Sequence, residues 1–146
     1  MTPQKKPQHI PYSDEIRQLI TKKSNTLFRA RFKKSEGDFE EARALFEETA
    51  QQEEQIARLL EVSGNPLDAL ISWVSAGSCY MKAEKYQIAQ AIFEGTQKKP
   101  LLPEALQKEL HRLKGQCQTA LKKQASKPQK RRRDVSPSRP WGGPKG

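Results

Sequence analysis

With 146 residues, 34% of them hydrophobic, and a formal net charge of +10, the chain can bury one self-sufficient core and needs no second domain. No apolar run approaches the roughly 18 to 20 residues of a membrane span. The opening MTPQKKPQHIPYSDE has no apolar stretch of the secretory kind, so the expectation is a soluble, intracellular protein with no membrane partner. The charge excess lies at the ends: residues 1–12 hold Lys5 and Lys6, residues 13–124 hold 18 basic against 16 acidic groups, and residues 125–146 hold 7 against 1.

In chain order, residues 1–12 carry Pro3, Pro7 and Pro11 without an apolar period and read as a disordered lead-in. Ser13 offers an N-cap, and Asp14 and Glu15 suit the positive end of a helix that runs to about Glu36, with Ile16, Leu19, Ile20, Leu27 and Ala30 on its apolar side and Phe28 and Phe32 as further candidates for it. Gly37 closes that helix. Asp38 with Glu41 reads as a capping box opening a long second helix through Phe39, Ala42, Leu45, Phe46, Ala50, Ile56, Leu59 and Leu60. Asn65 and Pro66 start a third helix carrying Leu70, Trp73, Val74, Gly77, Tyr80 and Met81, which breaks near Ala83 to Lys85. A fourth helix holds Tyr86, Ala89, Ile92 and Phe93 up to Pro100.

Pro103 opens a fifth helix whose Leu106, Leu110, Leu113, Cys117 and Leu121 recur at alternating steps of four and three. Such a narrow seam packs on one side only, as in a terminal cap. From Ala125 onward Pro, Gly, Ser, Lys and Arg leave almost nothing to bury, and the segment reads as a disordered basic tail. The expected organisation is thus an all-α domain over residues 13–124 between two disordered ends.

Two helical hairpins in succession invite a search for an internal repeat. Trp73, Ala76, Gly77, Tyr80, Ala89, Phe93 and Pro100 fall at spacings that resemble the tetratricopeptide repeat. The small residues stand where paired helices approach, and the aromatics fill the space around that contact. The first hairpin resembles the family more weakly, through Ala30, Phe39, Ala42 and Phe46, with Thr26 where the large aromatic belongs. Ala42 and Ala89 are 47 residues apart, against a usual period of about 34, so the second helix is longer than the family's norm.

The resemblance implies stacked antiparallel hairpins whose first helices line a concave groove for a peptide or a partner helix. By the family's pattern the groove residues would be Ser24, Leu27, Arg31 and Lys34 from the first helix, Ile71, Val74, Ser78 and Met81 or Lys82 from the third, and Arg112 and Gln116 from the fifth. A mixed basic and apolar groove suits an acidic or amphipathic segment of a protein partner. The expected function is that of an adaptor or small assembly subunit; the rival expectation is an accessory protein that binds nucleic acid through its tail.

In the tail, Lys130, Arg131, Arg132 and Arg133 form a compact cluster, with Trp141 available to stack on a base or enter a partner's pocket. The same run resembles a nuclear import signal, so the expected compartment is the cytoplasm, or the nucleus in a eukaryotic host. No nucleophile with its base, Gly-rich phosphate loop or closely spaced cysteine pair stands out, and His9 and His111 are isolated. The chain therefore reads as a binding module, not an enzyme, with no cofactor or metal. Cys79 and Cys117 read as small core side chains. Finally, the first helix is rich in Lys and Arg and the second in Glu, a pattern expected to set their pairing by charge attraction.

Overall fold

The structure, a computed structural model, describes residues 10–126, and among these every regular element is a helix: α1 (Asp14–Ser35), α2 (Phe39–Val62), α3 (Pro66–Lys82), α4 (Tyr86–Gln97) and α5 (Glu104–Ser126). The caps fall where the sequence places them for α1 and α2. Ser13 Oγ accepts from Ile16 N at 3.2 Å, and Asp38 Oδ1 accepts from Glu41 N at 3.3 Å. Asn65 occupies the N-cap position of α3 but makes no side-chain cap; its amide donates to Ser63 Oγ at 3.3 Å, and Pro66 alone shapes the helix start.

The first three connections are one device used three times. Gly37, Gly64 and Glu84 each hold a positive φ (84°, 89° and 63°). The residue after each donates its backbone N–H back across the helix end: Asp38 to Lys33 O at 3.0 Å, Asn65 to Leu60 O at 2.8 Å, Lys85 to Tyr80 O at 2.8 Å. This Schellman closure satisfies otherwise orphaned carbonyls and reverses the chain within three residues. Glycine suits the left-handed position; at the third turn Glu84 occupies it with a side chain.

Residues paired across neighbouring helices run in opposite directions, so successive helices are antiparallel. Ala30 meets Ala42, while Ile16 meets Ile56 and Leu60. Helix α1 contacts α2, α2 contacts α3, α3 contacts α4, α4 contacts α5, and α5 also reaches α3. The apolar interior forms three clusters: Ile16, Ile56, Leu60 and Ala69 at one end of the first three helices; Ala30, Ala42, Leu45, Phe46 and Ala83 at the other; and Ala50, Cys79, Tyr80, Ala89, Phe93, Leu110, Leu113 and Cys117 beneath the last two helices. The seam of α5 thus buries Leu110, Leu113 and Cys117, with Leu106 and Leu121 half-buried at its ends.

Two expectations need correction. Trp73 is half-buried rather than in the core with Ala89 and Phe93, because its Nε1 donates to Glu61 Oε2 at 2.9 Å and so holds the ring at the surface edge of α3. Nor do α1 and α2 zip together by charge. Among the described residues Lys23 with Glu53, at 3.1 Å, is the one ion pair between them; other α2 carboxylates turn the opposite way, Glu47 to Lys85 at 3.9 Å and Glu61 to Lys99 at 2.9 Å. Apolar contact, not charge, sets the α1–α2 pairing.

Candidate functional site

Helices α1 and α3 both lie against α2 without touching each other, which leaves a groove between them. A cavity of about 210 Å³ in this groove is walled by Ile20 and Lys23 from α1 and by Ile71, Ser72 and Ser75 from α3, with Glu53, Ile56 and Leu60 of α2 as its floor. One end is closed by the segment ahead of α1. The Tyr12 hydroxyl donates to Asp68 at 2.5 Å, and burial with this contact pushes the phenol up to about 12. Tyr12, placed by sequence in a disordered lead-in, is therefore tied to the start of α3.

Glu53 is buried and sits between Lys23 and Ser72, both of which hydrogen-bond it; burial raises its carboxyl pKa above the ordinary value, although Lys23 and Ser72 pull it down. Farther along, Lys82 lies 5.8 Å from the centre of the Phe46 ring. Cys79 reports the field between these groups: burial and then Glu53 push its thiol up to about 11, while Lys82, Lys23 and Arg31 act in the opposite sense. Lys23 and Arg31 of α1 and Lys82 of α3 thus all act on this buried thiol; of the carboxylates that line the cavity, Glu53 pairs with Lys23 and Asp68 accepts from Tyr12. A thiol so protonated is a poor nucleophile, and Cys79 and Cys117 are both buried as free thiols.

Of the residues that sequence assigns to the groove, Leu27 is half-buried against the Ala30–Phe46 cluster, and Arg31 and Lys82 are exposed on α1 and α3. Lys34 is exposed one turn beyond Arg31, and Ser78 is half-buried on α3. Val74 is half-buried against the cluster that includes Phe93, Leu110 and Cys117. Arg112 is engaged within α5, its Nε 3.1 Å from Glu109 Oε1 and its Nη2 2.5 Å from Oε2. That contact holds the Glu109 carboxyl below its ordinary value. Lys130, Arg131, Arg132, Arg133 and Trp141 lie outside the described residues.

Lys23 and Glu53 were missed. Glu53 carried a signal, since it falls in step with Phe46, Ala50, Ala57 and Leu60 and so reads as a carboxylate on a core-facing stripe.

A second concavity, of about 520 Å³, lies on the other side of α3, lined by Trp73, Glu54, Ile88, Ala91, Ile92, Gly95 and Lys99 among others. Trp73 forms its wall, with the Arg58 guanidinium 5.6 Å and the Lys99 ammonium 5.5 Å from the ring centre. Burial alone would raise Glu61, but hydrogen bonds from Lys99 and Trp73 outweigh it and the carboxyl lies below its ordinary value. Tyr80 donates its hydroxyl to Glu54 beneath this wall. The carboxylates here are matched by donors.

No helix among the described residues is long and apolar enough to cross a membrane, and none of their His, Cys, Asp and Glu side chains gather in a group of three or more fit to hold a metal ion. No protein-family model, curated protein or solved structure matches the chain.

Proposed function

We propose that the chain is a tetratricopeptide-like interaction module that holds an acidic or amphipathic segment of a partner protein in the groove between α1 and α3. The observation that carries this reading is the concavity between α1 and α3, beside which Arg31 of α1 and Lys82 of α3 are exposed and in no ion pair among the described residues, while Lys23 pairs with Glu53. Apolar wall residues, Ile20 and the exposed Ile71, add area beside the charge. Repeated Schellman turns and the close meeting of Gly77 with Phe93 support the tetratricopeptide-like arrangement.

The test is titration of a labelled, Glu-rich peptide, in extended form, with wild type and with Arg31→Glu/Lys82→Glu. Exposed charges contribute little to folding and much to steering, so the variant should keep its helicity and lose affinity by about tenfold or more at low salt. Equal affinity would reject the groove.

The second reading, nucleic-acid binding through the tail, draws on the concentration of 7 basic groups against 1 acidic in residues 125–146. Neutralising phosphates with the cluster at Lys130 to Arg133 would give a salt slope of about three to four on duplex DNA. Removing residues 127–146 separates the two: an adaptor keeps its peptide, and a tail-borne nucleic-acid binder loses its DNA.

A further inference from the structure

Helix α1 has a second unpartnered surface. Phe28 and Phe32, one turn apart, are 70% and 53% exposed. Each lies one residue, about 100° of helix rotation, beyond the groove residues Leu27 and Arg31. Lys22 and Arg29 share a face with each other and border the phenylalanines, and neither has an ion-pair partner among the described residues. Between Ile16 and Ser35 α1 contains no acidic residue. It is also the helix with one neighbour, since α2 alone covers it.

An exposed aromatic pair bordered by unpaired cations suits an apolar stripe flanked by carboxylates. A second copy of this chain fits badly, because α1 against α1 would bring Lys22 and Arg29 toward their own counterparts with no acid between. We infer that this face of α1 docks an amphipathic helix of a partner protein, with apolar residues one turn apart set into Phe28 and Phe32 and acidic residues against Lys22 and Arg29. The surface is distinct from the groove and does not depend on it.

The test uses the full chain and two fluorescent helical peptides, one with a leucine stripe flanked by glutamates and its counterpart with lysines in their place. Wild type should bind the glutamate peptide at least about tenfold more tightly, and Phe28→Ser/Phe32→Ser should weaken that binding by about tenfold or more with helicity unchanged. Lys22→Glu/Arg29→Glu should reverse the preference between the peptides. Lys82→Glu, a groove change on α3 away from this face, should leave the affinity within about twofold. Absent binding, equal binding of both peptides, insensitivity to the phenylalanine pair, or loss in the groove variant would each overturn the inference. So would concentration-dependent dimerisation in sedimentation that Phe28→Ser/Phe32→Ser abolishes, since the face would then belong to a second copy.

Discussion

A single methyl group added at Gly77 tests the packing of α3 on α4. An alanine Cβ there would stand 2.7 Å from Phe93 Cζ and 2.9 Å from Cδ1, and nearer still to Cε1. Comfortable carbon contacts are about 3.5 to 4.0 Å. Phe93 is fully buried among Cys79, Tyr80, Ala89, Leu110, Leu113 and Cys117, so the ring has nowhere to turn and the helices must separate. Overpacking of this kind costs about 1 to 3 kcal/mol. Alanine is intrinsically better than glycine in a helix by about 1 kcal/mol, which offsets part of it. The controls are Gly95 and Gly115, also helical, where an added Cβ meets nothing within 4 Å. Their alanine variants should gain up to about 1 kcal/mol each. Urea unfolding followed by far-ultraviolet circular dichroism should therefore place Gly77→Ala below Gly115→Ala by about 1 to 3 kcal/mol. In the Gly77→Ala background, Phe93→Leu should be less damaging than in wild type, because the two changes share one contact. If Gly77→Ala stabilises as much as Gly115→Ala, the close approach of α3 and α4 is refuted.

Trp73→Ala should destabilise by about 2 kcal/mol, below the 3 to 5 typical of a fully buried aromatic, because the ring is half-buried and its lost partners Arg58, Glu61 and Lys99 can be hydrated; a loss of 4 kcal/mol or more by urea unfolding would return Trp73 to the core. Glu53 predicts a pH dependence: with its folded-state pKa raised by burial, it contributes stability below its unfolded value that is lost as pH rises through the folded one. Wild-type stability minus that of Glu53→Gln should accordingly fall from about pH 4 upward and then level off, whereas a difference that grows with pH would mean that the Lys23 pair outweighs burial.

Much of the helical frame was legible because its signals are local. Ser13, Asp38 and Pro66 mark starts and Gly37 an end through backbone chemistry that does not depend on the rest of the chain. The α5 seam was equally plain, since Leu110, Leu113 and Cys117 can share a side only in a helix. Which neighbour an apolar residue meets is another matter. Val74 and Ile71 both belong to α3, yet Val74 is half-buried against the third cluster and Ile71 is exposed beside the groove; the phase of a helix against its neighbours is fixed by long-range packing. Charge was the least legible: alternating blocks of Lys and Glu suggested a zipper, but Glu47 and Glu61 of α2 pair with Lys85 and Lys99, and among the described residues Lys23 alone of the α1 cations pairs with α2. The large aromatic of the repeat pattern was found at Trp73, while its place at the wall of a cavity followed from Glu61, twelve residues earlier in another helix.

Helix α2 contributes to all three apolar clusters, through Ile56 and Leu60, through Ala42, Leu45 and Phe46, and through Ala50. The other contacts link near neighbours in the chain, as in a row of leaning books with one spine shared by all. Loosening can then spread from the α5 end without reaching the groove, because α5 touches α4 and α3 but neither α1 nor α2. Amide hydrogens in the middle of α2 would exchange with solvent only when the entire fold opens, and those near Ser126 long before, so the chain has a permanent half and a yielding half. A partner that grips α1 and α3 would hold the permanent half.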